Sequence, residues 1–225
     1  TRFSTIIVVI SQAVLKSLNS ERKILIYNGM ALSEYEPELD FDHVTVNCVG
    51  RIEEWKGQHV ALEAISMLKD RYSNITFNFI GAPAVNKPEY YDSLLTKVRK
   101  QGLNNVKFLG GRNDVPNILL SSQVLLVPTC TSEPFGRTVI EGMAAGNLVI
   151  ATNAGGPAEI IKHEQNGFLV EVNSAEDLSE KIDYVLSNVQ KLESVRRNAI
   201  DCVHQKFDIK RVSKSMEKVF SEAVK

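Results

Sequence analysis

Val124-Leu125-Leu126-Val127, followed after Pro128 by Ser132-Glu133-Pro134-Phe135-Gly136-Arg137-Thr138-Val139-Ile140-Glu141-Gly142-Met143-Ala144-Ala145-Gly146, reads as a strand that turns into a helix. An unbroken apolar run of this kind suits a strand covered on both faces. The helix opens near Gly136. A glycine at that turn lets a ligand approach the backbone, and the free N–H groups of the first helical turn attract anions. Glu133 and Glu141 bracket the turn. Were all the intervening steps helical, the two carboxylates would stand about 12 Å apart along the axis. That is wider than the roughly 5–9.5 Å of a glycosidase acid/base pair. The spacing fits two clamps on a long ligand with phosphates between them.

Working outward, short β-rich apolar runs alternate with amphipathic segments. Strands are predicted at residues 5–10, 23–27, 44–49, 75–80, 106–109, 124–127, 148–151 and 168–170. Helices are predicted at residues 12–18, 58–71, 89–101, 114–121, 136–145, 175–188, 191–206 and 210–223. Continuous apolar strands with helices between them imply an α/β fold, a doubly wound parallel sheet covered on both faces. Asp114 ahead of Val115-Pro116 is a predicted helix N-cap. Residues 33–42, acidic and aperiodic around Pro37, form the predicted linker.

A sheet of this class binds ligands beyond the carboxyl ends of its strands, and several residues gather there. Val49-Gly50-Arg51 closes one strand, and Lys56-Gly57 opens the next helix. Arg51 and Lys56 both point into the crevice in this reading, where two cations suit a diphosphate. Gly81, Gly110-Gly111-Arg112 and Gly155-Gly156-Pro157 follow three further strands. Each motif alone is ordinary turn chemistry; their convergence on one rim is what carries weight.

Composition narrows the classes further. The 225 residues are 44% hydrophobic and 24% charged, an ordinary globular mixture. A net charge of −1 with scattered basic residues argues against nucleic acid as partner. The 3 cysteines (Cys48, Cys130, Cys202) lie far apart, which speaks against disulfides or zinc and for a reducing, cytoplasmic setting. No apolar run approaches the length of a membrane span.

As an ordered set, Gly50-Arg51…Lys56-Gly57, Pro128…Glu133-Pro134-Phe135-Gly136…Glu141-Gly142-Met143-Ala144-Ala145-Gly146, Gly155-Gly156-Pro157-Ala158-Glu159 and Asn166-Gly167-Phe168-Leu169-Val170 resemble the family-4 retaining glycosyltransferases. The resemblance implies the GT-B fold, two Rossmann-like domains with a cleft between them. It implies that residues 1–27 are the tail of the N-terminal acceptor domain. Residues 28–206 would be the Rossmann-like donor-binding domain, opened by an Asn28-Gly29 turn, and residues 207–225 a C-terminal crossover helix. The remainder of the acceptor domain is then missing from this chain, and with it any peripheral membrane association at the cytoplasmic face.

The resemblance also implies roles. Glu141 would accept hydrogen bonds from the ribose hydroxyls of a nucleotide sugar, and Glu133 from a hydroxyl of the donor sugar. Backbone N–H groups of Phe135, Gly136, Arg137 and Thr138 would contact sugar and phosphates. Arg51 and Lys56, beside Gly50, would neutralise the diphosphate and stabilise the leaving group. The segment 110–113, with Arg112, would lie beside the base. Asn147 departs from the proline common in the family, at a position that reads as a turn. No cofactor and no metal are expected, the donor being a nucleoside-diphosphate sugar. Asp40-Phe41-Asp42 is formally a metal-nucleotide signature but falls in the predicted linker, and Cys130 reads as a small buried thiol without a histidine to activate it. The implied activity is hexosyl transfer with retention, as in polysaccharide or glycolipid biosynthesis. The alternatives are a non-catalytic sugar-nucleotide-binding partner subunit and a nucleotide-sugar epimerase of GT-B architecture.

Overall fold

The computed structural model describes residues 6–37, 44–85 and 87–223. Six strands form a parallel sheet in the order β5-β4-β3-β6-β7-β8: β3 (Thr45–Val49), β4 (Thr76–Ile80), β5 (Val106–Gly110), β6 (Val124–Val127), β7 (Leu148–Thr152) and β8 (Phe168–Val170). The chain winds outward from β3 to β5, then returns to lay β6 on the other side of β3. The switch point of the sheet therefore lies between β3 and β6.

Side-chain alternation divides the core in two. Val124 and Leu126 of β6, with Leu148 and Ile150 of β7, pack under α2 (Gln58–Met67), α3 (Pro88–Gln101) and α7 (Ala175–Asn188). Leu125, Val127, Val149 and Ala151 face α4 (Val115–Leu120), α5 (Arg137–Ala144), α6 (Gly155–Ile160) and α8 (Glu193–Lys206). All nine residues of β6 and β7 are buried, which is why these strands carry no polar alternation. Each large side chain so buried contributes about 1.5–3 kcal/mol. The buried Arg196 of α8 donates to the carbonyl of Gly146 and so ties off the C-terminal end of α5.

Ahead of this sheet, β1 (Ile7–Val9), α1 (Gln12–Ser17) and β2 (Lys23–Leu25) make a separate two-stranded parallel unit. The last helix, α9 (Ile209–Ala223), starts against the segment that follows β2. Met30 N–H donates to Phe207 O at 2.8 Å, and Ile209 N–H to Met30 O at 3.0 Å. A Cβ on Gly29 would stand 2.8 Å from the Ile209 Cα, which explains a glycine in the Asn28-Gly29 turn.

Several sequence expectations need correction. Residues 155–160 are helical, although Gly155-Gly156-Pro157 read as a turn; Pro157 sits in the first turn, where its missing N–H costs nothing. The predicted helix 191–206 begins at Glu193, after a 3-10 turn (Val189–Leu192). The helix predicted to reach residue 71 ends at Met67. Asp114 precedes α4 but makes no side-chain cap, because its carboxylate is engaged by Arg112. The predicted linker opens with a 3-10 turn (Leu32–Glu34) and the buried ring of Tyr35. Asp40-Phe41-Asp42 lies outside the described residues.

Candidate active site

The loops after β3 and β6 meet over the switch point. Lys56 follows β3 and Glu133 follows β6, and their side chains join at 2.7 Å, with only 18% and 15% of their surfaces exposed. Two glycines permit this closeness. Gly57, at φ 73°, would put a Cβ 1.8 Å from the Pro128 carbonyl oxygen. Gly155, at φ 60°, would put one 2.2 Å from the Glu133 carbonyl oxygen, which instead accepts the Gly156 N–H at 2.7 Å. The Glu133 loop is thus held from both sides by backbone.

Gly136, left-handed at φ 93°, caps α5 and aims its first turn toward the same loop. The carbonyl of Gly136 accepts from Val139 and Ile140, so the N–H groups of Arg137 and Thr138 have no acceptor within the helix. Only Glu141 stands on that helix; Glu133 stands on the loop before it. Arg137, exposed, donates to Glu141 at 2.8 Å, whose side chain is largely covered. Tyr35 lies beside them: burial, then the Glu141 and Glu34 charges, push its hydroxyl pKa well above the ordinary tyrosine value. The buried ring of Phe135 packs against Tyr27 and Phe207.

Arg51 sits on the same rim, directed by its neighbours. Its guanidinium bonds Glu53 at 2.9 Å, while Gln58 holds its carbonyl at 2.9 Å. The Trp55 indole N–H reaches the same Glu53 oxygen at 2.8 Å. That bond first, then Arg51, keeps the Glu53 carboxyl below the usual range. Gly50 lies against the Lys56 stem, a Cβ there meeting Cδ at 3.7 Å. Arg112, two strands from the switch point, forms a two-pronged pair with Asp114 at 2.8 and 2.7 Å. The β5 end that carries it is tied to β4 by Gly81 N–H donating to Gly110 O.

The structure therefore brings Arg51, Lys56, Glu133, Gly136 and Glu141 to one rim, and sets Arg112 at its far side. Cys130 needs correction, since His59 stands 3.9 Å from its sulfur. Burial pushes the thiol pKa up and the imidazole pKa down, so the two stay neutral rather than forming an ion pair. Sequence reasoning missed Glu159. Its carboxylate accepts from Gln12 N–H at 2.8 Å, from Ala13 N–H at 2.6 Å and from the Tyr27 hydroxyl at 3.4 Å. The spacing of Glu159 to the glycines was visible, but a partner almost 150 residues away was not.

The family model described as glycosyl transferases group 1 matches residues 36–201, well over half of the chain. The chain belongs to this family. Among curated relatives, an uncharacterized glycosyltransferase of Methanocaldococcus jannaschii is 29% identical over 203 residues, spanning 89% of this chain and 54% of its own length. A lipopolysaccharide core biosynthesis mannosyltransferase of Rhizobium leguminosarum bv. viciae is 27% identical, with 78% of this chain and 50% of that protein covered. This glycosyl transferase chain thus spans about half the length of the curated relatives it matches. Among solved structures, Anabaena HepE in complex with UDP-glucose superposes with a TM-score of 0.89 at 26% identity, covering 98% of this chain and 65% of that one. The C-terminal domain of a group 1 glycosyl transferase from Francisella tularensis covers 80% of this chain and is itself covered fully, at a TM-score of 0.74 and 26% identity. The six-stranded sheet is therefore the Rossmann-like C-terminal domain of a GT-B enzyme. No helix among the described residues is long and apolar enough to cross a membrane.

Proposed function

We propose that this chain is the donor-binding half of a retaining glycosyltransferase that takes a uridine-diphosphate hexose and works without a metal ion. The observation that carries this reading is the Lys56–Glu133 pair, formed across the switch point and facing the first turn of α5. A diphosphate entering there finds Lys56, Arg51 and the N–H groups of Arg137 and Thr138 that α5 itself leaves without an acceptor, with the positive end of the helix dipole behind them. Charge that develops on the leaving phosphate is stabilised by groups already in place. When the phosphate takes Lys56, Glu133 is released to accept from a hydroxyl of the sugar. Glu141, one helical turn further on, receives the ribose. Uridine is chosen because HepE was solved with UDP-glucose.

In this reading the acceptor is held largely by an N-terminal domain, as the half-length coverage of relatives supports. Residues 1–27 belong to that domain, and α9 crosses toward it. Calorimetric titration of this chain with UDP, GDP and ADP in the presence of EDTA tests the proposal. Saturable binding of UDP, unaffected by EDTA, is expected. Binding of none of the three, or binding that needs an added divalent metal, overturns it.

A further inference from the structure

Beside the Lys56–Glu133 pair, on the side away from α5, lies a cavity of about 450 Å³ that the donor reading does not use. Trp55, His59, Lys87, Cys130, Thr131 and Asn173 line it, with Glu53 and Glu54 at its edge. Its volume falls within the roughly 300–1,000 Å³ typical of small-molecule sites. The 3-10 turn after β3, the start of α2, the loop before α3 and the loops after β6 and β8 build it.

The walls are held in place. Trp55 is fixed by its indole bond to Glu53 and by Lys56 Nζ, which stands 4.0 Å from its ring centroid. Its carbonyl accepts the Cys130 N–H at 2.8 Å, locking the two loops together. His59 is braced by the Tyr90 hydroxyl at 3.0 Å, and Tyr90 in turn by Gln58 at 3.3 Å. Asn173 occupies the left-handed region at φ 59°, a conformation uncommon outside glycine that presents its short amide at the rim.

The lining selects among ligand classes. Two carboxylates disfavour a phosphate or another anion. The His, Cys and Glu side chains do not converge as metal ligands, since no group of three comes together among the described residues. An aromatic ring, an amide, a hydroxyl, an ammonium and carboxylates together match a ring that is apolar on its faces and rich in hydroxyl donors and acceptors at its edge. We propose that this cavity is a saccharide subsite, which seats a pyranose ring of the acceptor next to the donor sugar. The proposal rests on the donor reading above, because Trp55 and Thr131 place the subsite against Lys56 and Glu133. It adds that the donor half of the enzyme itself contributes to acceptor recognition.

Trp55 is the 1 tryptophan of the chain, so its fluorescence reports on this cavity directly. The experiment titrates the chain with a panel of methyl α- and β-pyranosides, with and without saturating UDP, while calorimetry follows UDP binding on the same sample. At least one pyranoside is expected to shift Trp55 emission saturably. Asn173→Gly, which keeps the backbone conformation, and Thr131→Val should each weaken that response several-fold and leave UDP affinity unchanged. Normal UDP binding with no saccharide response, or a response that neither substitution alters, overturns the subsite. A saccharide response without UDP binding would overturn the donor reading and, with it, a seat beside the donor sugar.

Discussion

Lys56 and Glu133 neutralise each other in the free protein, so each is available only once the other is given a new partner. This predicts different consequences for the two glutamates. Glu141→Ala should weaken UDP and UDP-sugar alike, by about tenfold to a hundredfold, the cost of losing hydrogen bonds to a charged acceptor. Glu133→Ala should weaken the nucleotide sugar but not free UDP, because its removal also releases Lys56 for the phosphate. Calorimetry with both ligands checks this; equal losses on free UDP would overturn the assignment. Glu53 offers a pH test. Its carboxyl is held below its ordinary value of 4.5, so the stabilisation it contributes is present above that pH and is lost as pH falls through the lower folded value. Trp55 emission should therefore titrate with a midpoint below 4.5, and Glu53→Gln should abolish the transition. Asn147 shows what a family departure can gain. Its amide donates to the carbonyls of Leu119 and Ser122 at 2.9 and 2.6 Å, and its N–H to Gly142 O at 2.9 Å. Asn147→Ala should cost about 1–3 kcal/mol by stranding the Ser122 carbonyl, since the Leu119 carbonyl still accepts from the Ser122 N–H and hydroxyl. Asn147→Pro loses the backbone bond as well, which thermal and denaturant unfolding would measure.

At the scale of the element, α6 links two parts of the molecule. Its first residues hold the Glu133 loop through the Gly156 bond, and near its end Glu159 receives two N–H groups at the start of α1. Ser11 completes that cap by accepting from Val14. A carboxylate at a helix N-terminus is favoured both as acceptor and against the dipole. Glu159→Ala should free the β1–α1–β2 unit, read as faster amide exchange at Gln12 and Ala13, with β6 and β7 unchanged. Unaltered exchange at those two amides would mean that packing, not the carboxylate, docks α1. This element is also where sequence reading was weakest. Six residues that begin Gly-Gly-Pro carry turn signals, and only their docking between the Glu133 loop and α1 makes a helix of them.

Over the whole molecule, an apolar cavity opens where the β1–β2 unit meets α9. Val8, Ile10, Ile26, Met30, Val212 and Met216 line this cavity of about 410 Å³, which reaches Phe135 and Arg137 of the site. On the proposed function the apolar run 6–10, which among the described residues pairs with β2 alone, belongs to a larger sheet. On the proposed function, the chain alone should bind UDP yet transfer no sugar, because half of the cleft that excludes water and orients the acceptor lies elsewhere. A transferase assay with and without a supplied N-terminal half checks this, and full activity of the chain alone would contradict it. Light scattering should show association through the 6–10 strand and α9, abolished by Val8→Lys with Met216→Lys.

A parallel α/β sheet and the rim at its strand ends were legible in the chain alone; the order of the strands was not. Apolar runs such as 124–127 state burial on both faces, glycines after strands mark tight turns, and both signals act over a few neighbouring residues. The ordered motifs around Glu133 and Glu141 also pointed to a phosphate-bearing ligand, the one the proposed function assigns, because anion binding at a helix start is a local property of backbone and spacing. Only the tertiary structure decided which charges meet. Lys56 finds Glu133 across 77 positions, Glu159 finds Gln12 and Ala13 across almost 150, and His59 finds Cys130 across 71. Those contacts depend on strand order, and strand order follows from the free energy of packing the whole sheet rather than from any pattern a single segment carries.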